Sequence, residues 1–259
     1  MKAIILSAGQ GKRLLPLTAE LPKCLLPIQE KPLIEWQIDE LGKCGVRKIR
    51  VVTGYRADKV KRMLEERYAS DEIVTLYNDA YASTDNLVSC WTASCEMDED
   101  FIILNGDTLF EAAVLKRLLD SPVRPVTVAV NQKARYDADD MKVSLDGGRL
   151  VKIGKTLVPE EVHAESIGMI LFRGKGPMLF CQALEKALAD PASGKKWYLS
   201  VIDEMARRMP VWTCTVNGLR WCEVDYRADI AQAVRVTAVC TDPEQDAGAN
   251  CRLRKATSV

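Results

Sequence analysis

Short apolar runs alternate with longer amphipathic stretches over the first 130 residues of the chain. The runs Ala3–Leu6, Ile49–Thr53, Ile73–Leu76, Phe101–Leu104 and Val126–Val130 have strand length and are bounded by polar or turn residues. Between them, residues 33–44, 58–68, 87–95 and 112–119 carry helical periodicity. In the first of these, Leu33, Ile34, Trp36, Ile38, Leu41 and Cys44 fall on one broad apolar face. Strand and helix in regular alternation predict an α/β fold: a Rossmann-like, mostly parallel mixed sheet flanked by helices. In such sheets ligands sit beyond the carboxyl ends of the strands, where residues 7–13 and 105–107 both emerge.

From Met141 the pattern changes. Residues 142–153 read as a two-stranded hairpin turning at Asp146-Gly147. A strand at 168–172, helices at 178–189 and 199–208, strands at 211–216 and 221–224, and a helix from Arg227 to about Val239 follow. No repeat and no linker rich in Pro, Gly or Ser divides the chain, so residues 1–238 are expected to form a single domain with one shared sheet. Residues 241–259 are polar and aperiodic, the pattern of a flexible tail.

Composition narrows the functional classes. Lys plus Arg and Asp plus Glu both number 36 among 259 residues, so no net charge points to nucleic acid or an anionic membrane. No apolar run approaches the roughly 18 residues of a spanning helix, and the first strand runs into a glycine loop rather than a leader. The nine cysteines are scattered without a Cys-x-x-Cys pair, which suits a reducing cytoplasm and argues against a zinc site. A single histidine, His163, has no nucleophile motif beside it, which argues against Ser-His or Cys-His catalysis.

The candidate chemistry begins at the first strand's end. Gly9 and Gly11 let backbone N–H groups approach an anion, and Lys12, Arg13 and Lys23 supply the charge a polyphosphate needs. The full Walker pattern is absent. Asp107, after Asn105-Gly106, stands at the end of a central strand. Glu223 and Asp225 end a later one, where alternation places both on one face. Magnesium on a triphosphate takes one or two such carboxylates, and each of these is equally readable as a turn residue.

The block from Leu6 to Pro27, with Gly9-x-Gly11-x-Arg13, Pro16 and Pro22-Lys23, resembles the signature of nucleotidyltransferases that act on phosphorylated small molecules. The resemblance extends over residues 1–238. It implies the nucleotide-diphospho-sugar transferase type of fold, with a nucleotide-binding half at 1–130 and an acceptor-binding half at 131–238 that carries a small hairpin and helical subregion. It also implies Mg²⁺ as cofactor on Asp107 and Asp225, and catalytic roles for Arg13 and Lys23. The stretch Asn78-x-x-Tyr81 followed by Asn86-x-x-Ser89 is similar to the cytidylyltransferase branch, although Asp85 stands where that branch often has a second Asn. Leu6, Ala8, Gly9, Gly11, Lys12, Asn86, Ser89 and Asp107 are then the nucleotide-binding residues, with CTP as the expected nucleotide. Ile153-Gly154-Lys155 resembles the branch's acceptor-phosphate lysine. Trp197, Tyr198, Asp203, Trp221 and Glu223 are candidates for a box around a cationic acceptor, or for ordinary core and turn positions. A sugar-1-phosphate or inositol-1-phosphate nucleotidylyltransferase and a non-catalytic nucleotide-binding subunit remain the alternatives, and oligomeric state stays open.

Overall fold

In the computed structural model residues 1–240 are described; the tail expected at 241–259 lies outside them. The strands are β1 (Lys2–Ser7), β2 (Pro27–Ile28), β3 (Lys31–Pro32), β4 (Lys48–Thr53), β5 (Ile73–Tyr77), β6 (Phe101–Asn105) and β7 (Thr108–Phe110) in the first half. Those of the second half are β8 (Val126–Asn131), β9 (Lys142–Asp146), β10 (Arg149–Gly154), β11 (Ala164–Phe172), β12 (Trp212–Thr215) and β13 (Trp221–Glu223). The helices are α1 (Leu33–Lys43), α2 (Ala57–Arg67), α3 (Asn86–Thr92), α4 (Ala112–Leu119), α5 (Gly176–Leu188), α6 (Tyr198–Ala206) and α7 (Asp229–Cys240).

Nine strands form one sheet in the order β5-β4-β1-β6-β11-β8-β12-β10-β9. The first four run parallel, as the strand–helix alternation implies. Strand β11 then enters antiparallel between β6 and β8, which joins the two halves of the chain in one sheet and makes it mixed. Alternation along β1 divides the core. Ala3 and Ile5 face α1, α2 and α4 through Ile34, Ile38, Val60, Leu64 and Leu115. Ile4 faces α3, α5 and α6 through Leu87, Phe180 and Ile202.

A third apolar cluster positions the chemistry. Leu33 and Trp36 of α1 turn away from the main core and pack with Leu109, Cys222, Val224, Ala233 and Val236. This anchors a two-stranded antiparallel ribbon, β7 with β13, outside the main sheet, in which Glu223 lies opposite Thr108. Two local expectations shift, and one short strand had no counterpart among them. The hairpin turns at Gly147-Gly148, one residue later than expected, because β9 extends through Asp146. The helix expected at 87–95 ends at Thr92 and is followed by a 3₁₀ turn at Ser94–Glu96. The ribbon strand β7 has only three residues, too few to show a period.

Candidate active site

Beyond Ser7 the chain leaves β1 and crosses the carboxyl edge of the sheet, and its carbonyls are held there. Leu6 O accepts the Gly106 N–H at 3.0 Å, Ala8 O accepts that of Tyr55 at 2.9 Å, and Gly11 O accepts the Thr18 hydroxyl at 2.8 Å. The N–H groups of Gly9, Gln10 and Gly11 have no partner among the described residues. Consecutive unpaired donors on a fixed loop are what an anion needs. Gly11 has φ +75°, and a Cβ there would lie 2.9 Å from the Lys23 Cβ, so glycine is what lets Lys23 lie against the loop.

Lys23 begins a 3₁₀ turn and reaches back beneath the loop. Its ammonium donates to Asp107 Oδ2 at 2.9 Å and to Asp225 Oδ1 at 2.7 Å. Burial works against its charge, but the two carboxylates more than offset this, and its pKa is raised above the ordinary lysine value. Asp107 follows Gly106, where a Cβ would lie 2.3 Å from Ser7 Oγ and 2.6 Å from Leu6 O. The turn that aims Asp107 therefore packs against β1 more closely than any side chain permits. Asp225 is brought opposite by the ribbon: the Val224 N–H donates to Asp107 O at 3.0 Å, and Asp229 Oδ2 accepts the N–H groups of Asp225 and Tyr226.

Glu223 lies beside this pair. Burial, then Asp107 and Asp225, push its pKa up to about 8. Among the described residues no group of three metal-ligating side chains forms a closed metal cage. What is present instead is two convergent carboxylates, with Asp107 Oδ1 buried and unpartnered. An orphaned buried carboxylate oxygen in a field of acids fits a divalent cation whose other ligands come from phosphate. Asp107 and Asp225 are the residues that would hold it.

Two cavities meet at Asn86, Asn105 and Asp107. The smaller, of about 220 Å³, runs under the glycine loop and is lined by Leu6, Gly9, Gly11 and Lys23. The other, of about 350 Å³, is lined by Arg13, Lys155, Trp197, Glu223 and Asp225. Arg13 donates to Asp225 at 3.2 Å, and Asp139 lies 3.4 Å from Arg13 and 3.5 Å from Lys155. The Tyr226 hydroxyl donates to Asp139 at 2.9 Å and, with Arg13, holds that carboxyl below the usual range. A further cavity of about 590 Å³ adjoins, with Trp221, Tyr226, Asp139, Glu165 and Glu223 in its walls.

Several expected contacts are corrected. Ser89 is buried and accepts a hydrogen bond from Asn78 Nδ2 at 3.0 Å, so it braces the loop after β5 instead of meeting a base. Tyr198 is fully buried behind the wall, donating to Asn105 Oδ1 at 3.1 Å. Asp203 accepts from the Ile153 N–H at 2.9 Å and from Arg207 at 2.6 Å, which ties α6 to β10 away from the cavities. Ala8 is buried, and Lys12 is exposed on the first 3₁₀ turn; neither lines these cavities. Trp221 belongs to the adjoining cavity, and the face of Trp197 is covered by Lys155, whose Nζ lies 4.7 Å from the ring centroid. Asn86 does line both central cavities, but its Oδ1 accepts the Tyr198 N–H at 3.0 Å, which leaves the amide's two donors for a ligand. Asp139 and Tyr226 are site residues that sequence reasoning missed, and Asn105, expected at the ligand edge of the sheet, was given no role there. Asn105 had a signal, its place at the carboxyl end of a central strand; Asp139 lies in an aperiodic segment that had none.

The chain is 28% identical over 244 residues to a CMP-5'-(3-aminopropyl)phosphonate synthase from Streptomyces rubellomurinus, covering 90% of this chain and 38% of that protein. It is 24% identical over 256 residues to a CTP:phosphoglutamine cytidylyltransferase from Campylobacter jejuni, covering 89% and 98% respectively. Its fold matches that of the inositol-1-phosphate CTP transferase from T. maritima, with a TM-score of 0.76 at 21% identity over 96% of this chain and 98% of that one. The chain thus spans well under half of the Streptomyces relative and nearly all of the Campylobacter one. No described helix is long and apolar enough to cross a membrane. The model of the family described as nucleotidyl transferase matches residues 2–133, just over half of the chain and the part that holds the glycine loop, Lys23 and Asp107. On that match, the chain belongs to the nucleotidyl transferase family.

Proposed function

We propose that the protein is a Mg²⁺-dependent cytidylyltransferase that transfers CMP from CTP to a small phosphate or phosphonate acceptor carrying a cationic group. The observation that carries this reading is the Lys23 ammonium, held at 2.9 and 2.7 Å between Asp107 and Asp225 at the junction of the two central cavities. The loop's N–H groups and Arg13 take the β- and γ-phosphates, and Lys23 neutralises charge growing at the α-phosphate. Lys155 orients the acceptor phosphate, whose oxygen attacks the α-phosphorus in line. The new P–O bond forms as the bond to the β-phosphate breaks, and pyrophosphate leaves. A phosphate acceptor is already ionised near neutral pH, so no general base is needed, in keeping with a site that contains no histidine. Magnesium, held by Asp107 and Asp225, would offset the charge of the triphosphate.

CTP is favoured by the names of the two relatives above and by the Asn86 amide, whose free donors suit the carbonyl and ring-nitrogen acceptors of cytosine. The cationic acceptor is favoured by the adjoining cavity, where Trp221 and Tyr226 stand among carboxylates. The test is pyrophosphate release with Mg²⁺, crossing CTP, UTP, dTTP, GTP and ATP against phosphocholine, 2-aminoethylphosphonate, inositol-1-phosphate and glucose-1-phosphate. CTP-only turnover with an amine-bearing acceptor, abolished by EDTA, is expected. Turnover with UTP or dTTP and a sugar phosphate would overturn the base and acceptor assignments while retaining the loop and Lys23.

A further inference from the structure

Asp139 makes a set of contacts that the proposed reaction does not use. It lies in the irregular segment between β8 and β9, with its side chain 48% exposed, yet it gathers groups from three other segments. Its Oδ1 is 3.4 Å from Arg13 Nη2 and 3.5 Å from Lys155 Nζ, and its Oδ2 accepts the Tyr226 hydroxyl at 2.9 Å. Arg13 also lies over the Tyr226 ring, 5.2 Å from its centroid. One carboxylate oxygen therefore serves both cations that the reading above assigns to substrate phosphates, one to the triphosphate and one to the acceptor.

From this geometry we propose that Asp139 is a positioning residue, an internal stand-in for the substrate phosphates that holds Arg13 and Lys155 in place until a phosphate displaces it from both. The inference rests on the proposed roles of Arg13 and Lys155. A phosphate arriving at Arg13 repels the Asp139 carboxylate, and because a single oxygen makes both contacts, its departure also frees Lys155. The first substrate bears the cost of displacing Asp139, and the second meets a cation that Asp139 no longer holds, Arg13 keeping only its pair with Asp225 and Lys155 its place over Trp197. The two therefore bind cooperatively, and by linkage each helps the other equally. Exposed ion pairs of this kind are weak, so the effect is about two- to fivefold in affinity.

The test is titration calorimetry of CTP and, separately, of inorganic tripolyphosphate, each with Mg²⁺, into wild type, Asp139→Asn, Asp139→Ala and Tyr226→Phe. Both anions are expected to bind about two- to fivefold more tightly to the Asp139 variants, with a smaller gain for Tyr226→Phe, which keeps the carboxylate but removes its brace. In turnover with phosphocholine the wild-type KM for CTP should fall as acceptor rises. In Asp139→Asn it should be low and independent of acceptor. A merely structural Asp139 would shift the melting temperature and leave this coupling intact. Unchanged or weaker tripolyphosphate binding in correctly folded Asp139 variants overturns the inference. Should those variants misfold, an unchanged tripolyphosphate affinity in Tyr226→Phe does the same. A tripolyphosphate gain in a protein that does not bind CTP would instead sink the cytidylyltransferase reading and leave the stand-in role in place.

Discussion

The two cationic parts of this site are built in opposite ways. Lys23 forms the floor: its side chain is 12% exposed, it sits on a turn packed beneath the glycine loop, and it contacts two carboxylates within 2.9 Å. Arg13, on the first 3₁₀ turn, and Lys155, in the turn after β10, form the rim: both are more exposed than Lys23 and touch Asp139 at 3.4 and 3.5 Å. The floor pairs are partly buried, Lys23 more deeply than its two carboxylates, and such a pair is costlier to break, because removing one partner strands the other charge partly out of water. An exposed pair contributes little and is exchanged easily. The floor is thus rigid, as a group acting on the reacting phosphorus must be, whereas the rim can trade partners as substrates come and go.

The sharpest way to break this contrast is at the floor. Lys23→Ala should cut kcat by about a hundredfold or more, the size expected for losing one preorganised charge at the reacting centre. Pyrophosphate release would show it, and near-normal turnover would remove Lys23 from the mechanism. The same variant leaves Asp107, Glu223 and Asp225 without their ammonium. Its melting temperature in EDTA should therefore fall, and Mg²⁺ should restore more of it than in wild type.

Glu223 sharpens the comparison from within the floor. In the metal-free protein its pKa stands near 8, above the value of about 4.3 for an exposed glutamate. The folded state then binds more protons than the unfolded state between those two values, so this group makes stability fall as pH rises from about 4.5 to 8, with no further loss above. In EDTA, Glu223→Gln should melt a few degrees above wild type at pH 8.5, with the gap closing toward pH 5. A gap of constant size across that range would show that Glu223 does not carry the pH dependence.

How much of this could be read from sequence depended on which residues had a pattern to follow. The continuous apolar runs at Ala3–Leu6 and Phe101–Leu104 marked the central strands because burying both faces of a sheet demands them there. The glycines at 11 and 106 marked close approaches, and the residues near them, Arg13, Lys23 and Asp107, line the cavities. The pattern failed where polar residues were concerned. Ser89, Tyr198 and Asp203 carry the side chains a binding site needs, but the same groups satisfy internal backbone and amide partners, and composition cannot separate the two uses. Asp139 was invisible for the opposite reason, since an exposed loop has no period, and only the fold shows that three distant segments converge on it.

Ser89 and Asp203 yield the smallest expected effect and the cleanest separation of brace from site. Ser89→Ala removes the acceptor of Asn78 Nδ2 in a buried setting, and Asp203→Ala removes that of the Ile153 N–H along with its bond to Arg207. Each should cost about 1–3 kcal/mol of stability, the penalty of leaving a buried donor unsatisfied. Denaturant unfolding would register this as a lower midpoint at unchanged slope. Neither side chain lines the two central cavities or the one adjoining them, so KM for CTP and for acceptor should stay within about twofold of wild type. A KM rise of tenfold or more in Asp203→Ala without a stability loss would mean that α6 tilts its acid toward the acceptor on binding. The rim's freedom to exchange partners would then extend to a helix that the free structure ties to β10.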